Sequence, residues 1–178
     1  MRAMAWEALP SAAIGAVIAL SGTLMADVRR DRRQRARDRD VDRRKYSIDF
    51  AVALARGHGA LRVAAGIKDE AERKAAVTAA MEPLYVVREQ LLVSGSARIV
   101  VAGEEAFHRL VGVRDVVRAG GSVRSAEYHE VYHAFADAIW HFRLAIRDDL
   151  NEPALAPGDL DRPDWTERET CAICAGKT

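Results

Sequence analysis

Nineteen residues without a charge, Ala8 to Ala26, run straight into a block, residues 27–45, in which fifteen of nineteen side chains are charged. Few folds accommodate that junction. At a rise of about 1.5 Å per residue, the uncharged run would span roughly 28 Å as a helix, close to the ~30 Å hydrocarbon core of a bilayer. Its centre, Ala12 to Leu20, is continuous, and Leu24 and Met25 extend it. Pro10 falls in the first turn, where a missing N–H costs little, and Trp6 lies just outside, at headgroup level.

The block that follows holds ten basic and five acidic residues. It carries about +5, so the rest of the chain carries about −4 to give the formal net charge of +1. Arg2 is the only basic residue before the run, so the positive-inside rule orients the segment. The reading is a single-pass transmembrane helix at about 8–26 in the plasma membrane, N-terminus out, with the bulk of the chain cytoplasmic. Gly15 and Gly22, with Ala19 or Ser21, give it a small-residue face on which two spans could pack. A cleaved signal peptide would leave a mature N-terminus headed by Asp27-Val28-Arg29-Arg30-Asp31-Arg32-Arg33, which resists translocation. A buried soluble helix would need an apolar continuation, and the chain offers the opposite.

Residues 27–45 contain neither Gly nor Pro, and Asp31–Arg35 and Asp40–Arg44 are i,i+4 pairs worth a few tenths of a kcal/mol each, about 0.3. A solvated helical stalk is predicted. Arg29, Arg30, Arg32, Arg33 and Arg35 are its membrane-surface cations, each contributing on the order of 1 kcal/mol beside anionic lipid. Nucleic acid is not the expected partner, because Asp is interleaved throughout and the block has no aromatic residue to stack on bases until Tyr46.

Beyond the stalk there is room for one domain, and only 6% of the chain is aromatic, which with abundant Ala, Leu, Arg and Glu favours helix over sheet. The predicted fold is all-α, with a bundle of about four helices over 46–150. Tyr46, Phe50, Ala53, Leu54, Gly57, Leu61 and Ala64 keep helical spacing up to a stop at Gly66. A second helix is predicted from Asp69 to Val93, kinked at Pro83, and a third from Ala97 to Ala119 before Gly120-Gly121. Ser125 caps a fourth that runs to about Leu150. That helix has two apolar stripes. Tyr128, Tyr132, Phe135, Ile139, Phe142 and Ile146 form one; His129, His133, Ala136, Trp140 and Leu144 form the other, about 120° round. The second stripe, through His129, His133, Trp140 and Leu144, is the candidate interaction face, for a protein partner or a second copy. From Asn151 the pattern gives way to an irregular tail, 151–178, in which Leu155, Leu160 and Trp165 are spaced so that some could dock back onto the bundle.

Two motifs carry chemistry. His129-Glu130-Val131-Tyr132-His133 has the zincin pattern: two imidazoles one helical turn apart share a metal, and the glutamate activates its water. A third ligand would come from Glu152 or from Asp148 or Asp149. The surroundings disfavour a zinc-dependent hydrolase. Glu127 puts a charge on the motif's helix, no edge strand is available for a peptide substrate, and Glu130 projects towards Asp137 and His141 on a solvent face. The expectation is therefore no enzyme, with the histidines semi-buried on a bundle flank. Cys171-Ala172-Ile173-Cys174 supplies two thiolates at metal spacing, half a zinc site that needs a second pair, a His or a symmetry mate to close. Two cysteines are too few for a disulfide scaffold, and thioredoxin-type chemistry lacks its βαβ setting. Zinc at Cys171 and Cys174 is the one cofactor the sequence suggests, against two ordinary reduced thiols.

The layout resembles a group of small actinomycete proteins, some labelled CchlQ and others Kil-type, for which no reaction is assigned. The matching features are Ile18 to Asp27 leading into the Arg-rich stalk, Tyr46-Ser47-Ile48-Asp49-Phe50, Ala126-Glu127-Tyr128-His129, Tyr132-His133, Ile139-Trp140, Arg143 to Arg147, and the Trp165…Cys171-x-x-Cys174 tail. The resemblance implies a membrane-tethered helical protein and carries no catalytic residue over. The function expected is a non-enzymatic adaptor at the cytoplasmic face.

Overall fold

A computed structural model describes residues 8–160 and 171–175; within these, the side chains of 8–24, 26, 157 and 175 lie outside the description. The described chain is all-helical, with no strand. It comprises α1 (Ala8–Ala64), α2 (Glu70–Ser94), α3 (Ala97–Arg118), α4 (Ala126–Asp149), a 3-10 turn at Pro157–Leu160, and a one-turn α5 (Ala172–Ala175). It divides into two units, Met1–Val41 and Asp42–Thr178.

In the first unit the stalk is helical and solvated. Arg29, Arg30, Arg32, Arg33 and Arg35 are all exposed, Asp31 and Arg35 form the predicted ion pair at 2.7 Å, and Gln34 donates to Asp38 at 2.9 Å. Among the described residues no helix is long and apolar enough to cross a membrane. The run at 8–26 is helical in its backbone, but of its side chains only Met25 is described, so the predicted span draws no support from the fold.

The second unit carries the core. Asp69 accepts from the Glu72 N–H at 2.8 Å, and Ser125 from the Tyr128 N–H at 3.2 Å, so α2 and α4 start on capped ends. α2 runs unbroken through Pro83, which cannot donate to the Ala79 carbonyl; Ala79 is on the exposed face, where water can take that acceptor. Gly57 and Gly59, poor helix formers on either side of His58, do not break α1 either. There the absent side chain is used, because a Cβ on Gly57 would lie 2.8 Å from Leu84 Cδ1 of α2.

Gly103 of α3 has a similar role. A Cβ there would meet Leu91 at 2.7 Å, Phe142 at 3.2 Å and Phe50 at 3.3 Å, so its absence lets α1, α2 and α4 converge on α3. Phe50 and Phe142, both fully buried, meet edge to face at 5.8 Å at that point. Between α2 and α3, Arg88 grips Glu104 with two hydrogen bonds (2.7 and 2.5 Å) and covers the Phe107 ring at 4.8 Å. A forked, charge-assisted pair of this kind fixes the register of two helices better than apolar packing alone.

The first stripe of α4 is core: Tyr128, Phe135, Ile139, Phe142 and Ile146 are buried, and Tyr132 is half-buried. The second stripe is mixed. His133 and Ala136 are buried, while His129, Trp140 and Leu144 are half-buried.

Candidate metal centre

α4 and the tail meet at the chemically active residues. Helical geometry sets His129 and His133 one turn apart, with ring centroids at 6.0 Å. Tyr132 lies between them in sequence, and its ring contacts both imidazoles, at 6.4 and 5.7 Å. It limits the freedom of either to rotate away. Against this face sits α5 with Cys171 at its start and Cys174 within its single turn. The ligand atoms of His129, His133, Cys171 and Cys174 all lie within 4.8 Å of one another.

The two motifs, which the sequence offers as separate leads, are therefore one cluster. Tetrahedral zinc with bonds of about 2.0–2.3 Å requires ligand-to-ligand separations of about 3.3–3.8 Å. Cys171 Sγ is already 3.4 Å from His129 Nδ1. A contraction of up to about 1.5 Å over the longer edges closes the shell. The donor set is two imidazoles and two thiolates, so a divalent cation would be neutralised by its own ligands. The Cys171 thiol is pushed down to about 6, first by its hydrogen bond with His133 and then by the Cys174 backbone, with desolvation opposing. A thiol so placed is readily deprotonated, the form a metal needs.

The carboxylates considered as a third ligand are engaged elsewhere. Asp148 pairs with Arg98; Asp149 takes Arg43 at 3.5 Å and Ser96 at 3.3 Å; Glu152 is 3.9 Å from Arg147. None belongs to the cluster, and the cysteines stand where the zincin pattern would put a third ligand. Glu130 is exposed. The union of His pair and Cys pair has one signal in the sequence. From His129 to Asp149 the helix descends about 30 Å, and the 22 residues from Leu150 to Cys171 could extend about 70 Å, ample for a return. Nothing in that length selects His129 and His133 as its end point.

Behind the cluster lies a group the sequence does not single out. His58 of α1 hydrogen-bonds the Tyr128 hydroxyl through Nε2 at 3.1 Å, stacks on Tyr132 at 5.1 Å and touches Phe135 at 5.2 Å. Burial first, and Arg62 second, push its pKa from 6.5 down to about 4. The same desolvation pushes Tyr128 up to about 12. A lowered folded pKa means that the unfolded chain takes the proton first. The stability His58 contributes is thus complete above about pH 6.5 and is lost as the pH falls towards 4. Urea unfolding at pH 7.5 and 5.0 should show a fall for the wild type that is smaller in His58→Gln; equal falls would contradict this assignment.

No protein-family model, curated protein or solved structure matches the chain.

Proposed function

We propose that this chain is a non-enzymatic, membrane-tethered helical adaptor whose C-terminal tail is closed onto α4 by a structural zinc ion. The observation that carries the reading is the cluster itself: four ligand atoms of zinc-binding type, on two separate elements, within 4.8 Å. Four protein ligands fill a tetrahedral zinc and leave no position for a water or substrate, which is the mark of structural rather than catalytic sites. The exposed Glu130 then has no metal-bound water to activate. A short tail with little core of its own gains most from such a staple, since metal binding free energy becomes ordering free energy.

The tether is supported by the uncharged run at 8–26 and by the basic block behind it, with the resemblance to the actinomycete group pointing the same way. Arg29, Arg30, Arg32, Arg33 and Arg35 would face anionic lipid. The half-buried Trp140 and Leu144 continue the cluster's stripe along α4 and are the surface offered to a protein partner or a second copy.

Elemental analysis of the full chain extracted from a membrane fraction tests both parts. One zinc per chain is expected, lost equally on His129→Ala and on Cys171→Ser. Zinc lost with the histidines but retained with Cys171→Ser would favour a hydrolase-type site instead. Recovery of the wild type in the soluble fraction would contradict the tether.

A further inference from the structure

We propose that Cys171 and Cys174 are, in addition, an oxidation site for hydroperoxides: their conversion to a disulfide ejects the metal and undocks the tail from α4. This rests on the zinc reading above. The geometry divides the ligands into unequal halves. His133 is buried and His129 half-buried on α4, a helix locked into the core by Phe135, Ile139 and Phe142. Both cysteines are half-buried on α5, a helix of four residues. Both sulfurs and His129 are half-buried, but of these groups only the thiolates are oxidised by a peroxide, and they sit at the short α5 rather than on the helix locked into the core.

The two sulfurs lie within 4.8 Å of each other, and the chain has no third cysteine to compete. Cys171 precedes the turn and Cys174 lies within it, so one turn of backbone has to adjust to bring the sulfurs to bonding distance, about 2.05 Å.

The step balances with one hydroperoxide. One thiolate attacks the terminal peroxide oxygen, the O–O bond breaks, and the alkoxide leaves and takes a proton to become an alcohol. The second thiolate then attacks the resulting sulfenic sulfur, forms the S–S bond and expels hydroxide, which is protonated to water. Two electrons pass from the sulfur pair to the peroxide. Zinc is not reduced or oxidised. It loses two anionic ligands at once, and two imidazoles alone hold it far more weakly. With the metal goes the link between tail and α4, and the face carrying His129 and Tyr132 opens to solvent.

The test uses the zinc-loaded full chain and hydrogen peroxide, with a coloured zinc indicator, a thiol count, intact mass, and amide hydrogen exchange over 171–175. Expected are two thiols lost per zinc released, a mass lower by about 2 Da after metal removal, faster exchange in α5, and recovery of all three on adding dithiothreitol and zinc. Cys174→Ser, which cannot form the disulfide, should give no such mass change. Zinc that starts at one per chain and stays bound at peroxide concentrations that oxidise a free thiol would overturn this proposal alone. So would disulfides only between chains, or oxidation that stops at sulfinic acid. A chain with no zinc before peroxide is added would overturn the zinc reading together with it.

Discussion

Replacing His133 by alanine should weaken zinc binding by more than about 100-fold, the scale at which even outer-shell partners of a metal act, while leaving the helices in place. His133 is 6% exposed, the most deeply held of the four ligands, and it also makes the largest contribution to lowering the Cys171 thiol. Its loss removes one coordinate bond and raises the cost of deprotonating a second ligand. The fold does not depend on it in the same way, because α4 is anchored chiefly through its first stripe, where Phe135, Ile139 and Phe142 are buried. A chelator competition titration measures the first effect and far-ultraviolet circular dichroism the second. Wild-type affinity in His133→Ala would remove this residue from the site.

The largest loss of stability should come from Phe142→Ala, at about 3–5 kcal/mol, which is a large share of the 5–15 kcal/mol that holds a domain of this size together. Phe142 is fully buried, meets Phe50 edge to face at 5.8 Å, and fills the space that Gly103 leaves open. The core is short of large residues, with only four Phe in the chain, so little stands ready to collapse into the cavity. Trp140→Ala is the control. Its ring is half-buried, and its loss should cost clearly less. Urea unfolding with an unchanged m-value measures both, and a Phe142→Ala loss below about 1.5 kcal/mol would contradict the tight packing of Phe142 against Phe50 and Gly103.

How much of this was legible follows the range of each interaction. The cap at Ser125 acts over three residues, and the sequence shows it directly; Asp69, read as the first residue of the second helix, proves to be its cap. The buried stripe of α4 is periodic, so it too can be read one turn at a time. The ion pair Asp31–Arg35 is likewise local. What the sequence hides is long-range. Gly103 reads as one small residue among many, and only the convergence of Leu91, Phe142 and Phe50 shows why a side chain cannot stand there. Arg88 and Glu104 are sixteen residues apart on different helices, and nothing in either helix names the other. The metal cluster is the extreme case. Cys171 and His129 are 42 residues apart, and each half, judged alone, falls short of a site. The cysteine pair calls for a partner of nitrogen or sulfur type, whereas the candidate ligands nearest the histidine pair in sequence are carboxylates. The ligands that complete each pair are those of the other, and only folding brings them together.

The measurement that bears most directly on the central claim is the absorption spectrum of the full chain loaded with cobalt(II) in place of zinc. Four protein ligands of the type found here impose a tetrahedral field on the ion. The expected spectrum has intense visible d–d bands and a near-ultraviolet thiolate-to-cobalt band scaled to two sulfurs, and both are abolished in Cys171→Ser. The weak visible absorption of six-coordinate cobalt, with no thiolate band, would contradict the assignment of His129, His133, Cys171 and Cys174 to a single metal centre.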